Sequence, residues 1–170
     1  MLQVEIFIYA MLIINIIIIF YIITSNKLDV FQIKIEEAVS SIDIALSKRY
    51  NVLTKMIEIV KNYTKYEKDT LFKINEIAKG ISLNEKANLN KQIDDELAKI
   101  YILTKSYPRL KANENFKVLQ KTIIEVEEHL QAARRVYNSN VSMFNQLVLK
   151  FPTNIVAKTK SLKEKEFFKM

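Results

Sequence analysis

The stretch 116-FKVLQKTIIEVEEHLQAARRVYNSNVSMFNQLVLKF-151 decides the fold. Its core positions recur at alternating steps of three and four residues, at Phe116, Leu119, Ile123, Val126, Leu130, Ala133, Tyr137, Asn140, Phe144, Leu147 and Phe151. A repeat of about 3.5 residues is typical of coiled-coil packing, in which a helix lies lengthwise against other helices. A stripe this long cannot be buried by one helix, so we expect the rest of the chain to supply partner helices.

Composition indicates an all-α protein. The 170 residues include one Gly and two Pro, which leaves little material for turn-rich sheet folds. Because there is no Cys, neither a disulfide framework nor a thiolate metal site can form. The formal net charge is +7. It has two open interpretations, a codon bias toward Lys, Ile and Asn or an attraction to anionic lipid.

Residues 6–26, IFIYAMLIINIIIIFYIITSN, form an uncharged and almost wholly apolar run. A run of this length predicts a transmembrane helix, with Tyr9 and Tyr21 placed to lie at the two interfaces. Residues 1–5 carry no Lys or Arg and no small-residue cleavage site follows, so we expect a retained anchor rather than a signal peptide. The chain then divides into an anchor, 1–26, and a helical bundle domain, 27–170.

Charge next to the anchor favours one orientation. The N-terminal side has no basic residue, whereas Lys27 and Lys34 follow the apolar run. The positive-inside rule therefore favours a cytoplasmic bundle at the cell membrane.

Breaks in the pattern predict the remaining helices. The first soluble helix is expected over 28–79, with the option of continuing the membrane helix, and Gly80 suits its end. Ser82 and Glu85 form a capping box for a second helix, which Pro108 ends near Ser106. The apolar stripe of this second helix is Leu89, Ile93, Leu97, Ile100 and Leu103. Asn113 is the expected cap of the opening helix, which continues to about residue 150. Together these predict a long antiparallel up-and-down bundle of three long helices and a short C-terminal one.

The C-terminal segment is predicted to form the short last helix. Its apolar residues are Ile155, Val156, Leu162, Phe167 and Phe168, interspersed with several Lys. Two roles stay open for its end, at Lys163, Lys165, Phe167 and Phe168: docking on the membrane as an interfacial helix, or covering the exposed end of the bundle.

Several blocks of the chain resemble the LemA family of bacterial membrane-anchored helical proteins. The blocks are YPRLKANENFKVLQ at 107–120, AARRVYNSNV at 132–141, FNQLVLKFPTNIVA at 144–157 and KEKEFF at 163–168. Upstream, 36–53 and 63–71 resemble the first-helix motif. The resemblance implies an N-terminal membrane helix followed by a long up-and-down bundle. Thr54 and Tyr66 depart from the Pro and His that the family often has, which argues against chemistry built on that His.

Six polar residues within or beside the apolar stripes are the candidate site residues: Arg49, Glu67, Glu127, Arg134, Asn138 and Asn145. A charge buried in a bundle must be paired, and paired polar groups can fix the helix register. We therefore predict interhelical pairing, with Arg49 bonded to a carboxylate of a neighbouring helix. The functional alternative is a strip on which a partner docks.

No pattern indicates catalysis, a cofactor or a bound metal. Glu125 and His129 share a helix face, but a transition-metal site needs three or four ligands. One Gly excludes a Gly-rich phosphate loop. Basic residues alternate with acidic ones along the helices, so a nucleic-acid interface is not expected.

The sequence therefore favours a non-enzymatic, single-pass scaffold or interaction protein of the bacterial cell membrane. Its expected partners are the lipid bilayer, unidentified membrane or membrane-proximal proteins and, because the helix lengths differ, further copies of itself. The alternative is an oligomeric protein that remodels or organises membranes, since a branch of the resembling family is associated with intracellular membrane compartments. A regulator of a membrane protease is a third option that the family association alone suggests.

Overall fold

The structure, a computed structural model, describes residues 2–64 and 81–169. In these residues the chain forms five helices: α1 at Leu2–Lys61, α2 at Leu83–Ser106, α3 at Pro108–Ala112, α4 at Glu114–Leu149 and α5 at Thr153–Thr159. No strand occurs among them. The predicted all-α class is confirmed: a long N-terminal helix that begins in the apolar run is followed by further helices.

α1 continues without a break from the apolar run into the soluble part, the option that the sequence left open. It ends at Lys61 rather than at residue 79, and a turn follows in which the Tyr63 N–H donates to the Val60 carbonyl at 3.0 Å. The Thr64 hydroxyl donates to the same carbonyl at 3.1 Å. Asn, Tyr and Thr are weak helix formers, and side-chain bonds of this kind compete with a continuing helix. Glu67 and Gly80 lie outside the described residues.

The predicted caps are confirmed. Ser82 accepts a hydrogen bond from the Glu85 N–H at 3.3 Å, and Glu85 accepts one from the Ser82 N–H at 2.6 Å, which completes a capping box. At the start of α4, Asn113 accepts from the Phe116 N–H at 2.9 Å. Pro108 ends α2 and begins the single turn of α3, where its missing N–H costs nothing.

The stripe of α4 follows the predicted positions for most of its length. Of those positions, Phe116, Ile123, Val126, Leu130, Tyr137 and Phe144 are buried. The stripe departs from the prediction by one residue after Tyr137, where Val141 is fully buried in place of Asn140, and Phe144 is again at its predicted position. An ideal α-helix has 3.6 residues per turn, and a stripe of period 3.5 drifts around it. Phe151, the last predicted position, lies past the helix end and is 80% exposed.

The chain divides into two compact units, which are described separately. The first unit is Met1–Glu37 with Tyr137–Phe167, and the second is Ala38–Val136 with Phe168–Met170. This division does not test the predicted anchor boundary at residue 26, which stays a prediction.

In the first unit, α1 and α4 run antiparallel. Asn140 donates to the Lys34 carbonyl at 3.3 Å, and farther along α4 Leu147 and Lys150 share a cleft with Lys27 of α1. Residue numbers therefore increase along α4 in the direction in which they decrease along α1.

In the second unit, α1, α2 and α4 enclose a common core. Its fully buried residues include Met56 of α1, Ile100 of α2 and Phe116 of α4. Burying each side chain of this size contributes about 1.5–3 kcal/mol. Asp43 of α1 pairs with Lys86, and Arg49 pairs with Asp94 farther along α2, so α2 runs in the same direction as α1. The predicted up-and-down order had these two helices antiparallel, and for this pair it is wrong.

Candidate functional site

Arg49 of α1 lies at the centre of a polar cluster in the second unit. The residue is 4% exposed, and its guanidinium reaches two other helices. One terminal nitrogen, Nη1, donates to the Asn90 amide oxygen of α2. The other, Nη2, lies 2.5 Å from the Asp94 carboxylate of α2 and 3.0 Å from the Glu127 carboxylate of α4. The predicted bond between Arg49 and a carboxylate of a neighbouring helix is present in the structure.

The Arg49 cluster is supported by further side chains of its own helices. Asn90 donates from Nδ2 to the second oxygen of Asp94 at 3.2 Å, and Gln131 donates to Glu127 at 2.9 Å. The Asp94 side chain is 49% exposed and that of Glu127 26% exposed, so water still solvates the carboxylates while the guanidinium is shielded. A buried cation held by two partners in this way fixes the register of three helices.

Lys86 forms a second buried pair, which the sequence analysis missed. Its side chain is 3% exposed, and Nζ lies 2.5 Å from the Asp43 carboxylate of α1. The stripe predicted for α2 began at Leu89. Extending it back by one step of three reaches Lys86, so the signal was present in the spacing.

Arg134 and Phe168 contact each other in the second unit. The guanidinium carbon of Arg134 lies 5.1 Å from the centre of the Phe168 ring, and Phe168 is 3% exposed. This is a cation–π contact. Glu127, one heptad earlier on α4, bonds Arg49 instead, so the two charged residues have different partners.

Asn145 holds the C-terminal segment in the first unit. Its amide nitrogen donates to the Lys165 carbonyl at 2.9 Å, and its amide oxygen accepts from the Lys165 N–H at 2.9 Å. Tyr137 donates to the Glu166 carbonyl at 2.9 Å. Burial raises the pKa of Tyr137, and the nearby Glu166 carboxylate raises it further. Asn138 is half-buried and also makes a polar or ring interaction.

The residues after Ser161 are not helical, so the predicted interfacial helix at Lys163, Lys165, Phe167 and Phe168 is wrong in its secondary structure. The side-chain amide of Asn145 bonds both the carbonyl and the N–H of Lys165, so these backbone groups have partners outside a helix. Lys165 also lies over the Phe144 ring at 5.8 Å. Burial of Phe168 agrees with the other predicted role, a covering of the helical bundle.

A profile of the LemA family matches residues 38–170. The chain belongs to the LemA family. A relative, Protein LemA of Metamycoplasma hominis, is 30% identical over 142 residues, which cover 81% of this chain and 65% of that protein. The chain thus spans less than two thirds of the length of this curated relative.

This LemA-family chain carries a candidate membrane span in α1. By length and composition, α1 is the one helix in the described ranges 2–64 and 81–169 that could cross a membrane. The large apolar side chains from Leu2 to Ile23 are all exposed. The span precedes the residues that match the family profile.

The LemA-matched part of the second unit also contains an apolar groove between α1 and α4. We call it the α1–α4 groove; it is lined by Ser41, Ile44, Ala45, Lys48, Val126, His129, Ala132, Ala133 and Val136. Ile44 is 55% exposed and Val136 54% exposed, while the alanines contribute small side chains to the groove. His129 is one of the residues that line this groove. Among the described residues, no group of three or more His, Asp or Glu is arranged to hold a metal ion.

Proposed function

We propose that this LemA-family chain is a membrane-anchored, non-enzymatic scaffold that presents its helical domain to protein partners at the bacterial cell membrane. The observation that carries the proposal is the continuity of α1. One helix begins in an exposed apolar span and continues into the domain that matches the family. A continuous helix of this kind joins the family-matching part of the chain directly to the segment that we place in the bilayer.

The polar side chains support a structural rather than a catalytic use. Arg49, Glu127 and Lys86 are engaged in pairs between helices, and Asn145 is engaged with the C-terminal segment. Groups committed in this way stabilise the fold. A surface suited to a partner is the α1–α4 groove, where exposed apolar side chains flank small ones. Such a groove suits the apolar face of a partner helix.

The side of the membrane is tested with one thiol. Lys91 is exposed on α2 and the chain has no Cys, so Lys91→Cys introduces a single reactive group. Because the basic residues follow the span, we expect an impermeant thiol reagent to label this variant only after cells are lysed. Labelling of intact cells would place the helical domain outside and contradict the cytoplasmic orientation.

The scaffold role is tested by photocrosslinking in cells. A photoreactive residue at Ile44, in the groove, is compared with one at Ile102, which is 66% exposed on α2 and does not line the groove. We expect a discrete adduct with another protein from Ile44 but not from Ile102, and its loss when Val136→Asp is added. If Ile44 gives no such adduct and the purified protein alone changes the shape of liposomes, the alternative of direct membrane remodelling replaces the scaffold.

A further inference from the structure

The turn between α4 and α5 exposes three large apolar side chains within a few residues. Leu149 is 57% exposed, Phe151 80% and Ile155 55%. Two backbone hydrogen bonds hold the turn together. The Asn154 N–H donates to the Lys150 carbonyl at 2.8 Å, and the Ile155 N–H donates to the Pro152 carbonyl at 3.2 Å. An exposed apolar group on a compact turn costs solvation free energy unless something covers it.

Contacts within the first unit place this turn beside the end of the candidate membrane span. The antiparallel register, set by the bond from Asn140 to Lys34, brings Leu149 at the end of α4 level with Ser25 of α1. Ser25 lies within the uncharged run 6–26. Lys27 and Leu147, which line a common cleft with Phe151, have the same register.

α5 is held at the same level by its own contacts with α1. The Tyr21 and Thr159 hydroxyl oxygens lie 3.5 Å apart. Lys160 donates to both Asp29 carboxylate oxygens at 2.5 and 2.7 Å and to the Ser25 hydroxyl at 2.9 Å. These bonds connect α5 to the last turns of the span and the first turn beyond it, where Tyr21 was expected to mark the interface.

Charges next to the turn complement an anionic membrane surface. Lys150 and Lys158 flank the three apolar residues, and both are exposed, as is Lys27 at the end of the span. Apolar side chains flanked by Lys are the composition of elements that lie in the headgroup region of a bilayer.

We propose that the α4–α5 turn is a second membrane contact, with Leu149, Phe151 and Ile155 inserted at the headgroup level of the bilayer that α1 spans. The occupant is lipid because the register fixes the turn at the level where the span ends. The inference rests on the proposed membrane anchoring. It moves the lipid-facing element from the C-terminal tail, where the sequence suggested it, to the turn before it.

The test uses the full chain in vesicles of phosphatidylcholine and phosphatidylglycerol. Single cysteines are introduced as Leu149→Cys and Phe151→Cys, and each is labelled with a polarity-sensitive fluorophore. Ile14→Cys, in the middle of the span, is the control for anchoring, and Ile102→Cys, exposed on α2, is the control for water. Lipids that carry a quencher either near the headgroup or at the chain end report the depth of each label.

We expect blue-shifted emission at positions 149 and 151 with loss of fluorescence to the shallow quencher. The label at position 14 should be quenched by the lipid that carries its quencher at the chain end, and the label at position 102 only by aqueous iodide. Quenching at 14 together with iodide quenching at 149 and 151 would overturn the second contact and leave the anchor intact. Blue-shifted labels at 149 and 151 that no lipid quencher reaches would assign the turn to a protein contact and also overturn it. Absence of lipid quenching at 14 would overturn the anchoring itself.

Discussion

Arg49 is the residue on which the packing of the second unit depends most directly. Its guanidinium is shielded from water, and it holds Asp94 and Glu127 from two other helices. Removing one partner of a buried ion pair usually costs more than the pair contributed, because the remaining charge is left uncompensated. Here the carboxylates keep some contact with water, which lowers that cost.

We expect Arg49→Met to destabilise the protein by about 3 kcal/mol, the lower end for a broken buried pair. For a chain of this size that corresponds to a fall in Tm of roughly 10 °C. The measurement is thermal unfolding of the full chain in detergent. Lys48→Met is the matched control, because the neighbouring Lys48 is exposed. Equal Tm values for the two variants would show that the cluster contributes no net stability.

Ionisation of Tyr137 makes the free energy of unfolding fall at alkaline pH. Burial and the Glu166 carboxylate raise its pKa above the ordinary value of 10.0. The folded state therefore favours the neutral phenol, and this contribution is complete below pH 10.0 and is lost as the pH rises through the folded pKa.

We expect Tyr137→Phe to cost about 1 kcal/mol at neutral pH, through loss of the hydrogen bond to the Glu166 carbonyl. The variant should lose less stability than the original protein between neutral and alkaline pH. Tyr101, whose pKa burial also raises, keeps part of the dependence. Parallel Tm curves against pH for the two proteins would contradict this assignment.

At the scale of the elements, the C-terminal segment depends on α4 for its conformation. Asn145 is the only side chain described here that bonds both the N–H and the carbonyl of Lys165. A segment without regular secondary structure needs such partners, because its backbone groups would otherwise be satisfied only by water.

We expect Asn145→Leu to release this segment while leaving α4 helical. Trypsin should then cleave after Lys163 and Lys165 several times faster, since proteolysis follows the population of locally opened chain. Gln146→Leu is the control, because the exposed Gln146 bonds residues of its own helix such as Ser142 at 3.4 Å. Unchanged cleavage rates in Asn145→Leu would show that Tyr137 and Phe168 hold the segment without it.

The elements also show which physical signals the sequence carries. Short-range sequence signals were sufficient to predict the caps at Ser82 and Asn113 and the end of α2, because each of these features depends on residues only a few positions apart. The end of the last helix was not predictable in this way. Apolar residues after Ser161 are spaced as in a helix, but the backbone there is hydrogen-bonded by the side chain of Asn145, which belongs to α4.

The candidate site was also predictable from the sequence only in part. Arg49 could be identified because a charge in an apolar stripe must find a partner, although the sequence could not say which carboxylates would reach it. Lys86 was missed because the stripe of α2 was begun too late, at Leu89, and Asn90 was missed because it lies one residue to the side of that stripe. The α1–α4 groove had no signal in the sequence, since it arises from how two helices pack.

At the scale of the whole molecule, each compact unit has its own set of contacts. The second unit contains the core around Met56, Ile100 and Phe116 and the Arg49 cluster. The first unit is held by the bonds of Lys160 to Asp29 and of Asn145 to Lys165. Regions with separate cores often open separately in hydrogen exchange.

We therefore expect Arg49→Met to change amide exchange in one unit only. In the full chain in nanodiscs, protection should fall across residues 52–60, 89–100 and 116–130 of the second unit. Amides of α5 in the first unit should keep their exchange rates, because none of their described polar contacts involves Arg49. Loss of protection in α5 to the same degree would mean that α1 and α4, which contribute to both units, make the protein unfold as a single cooperative structure.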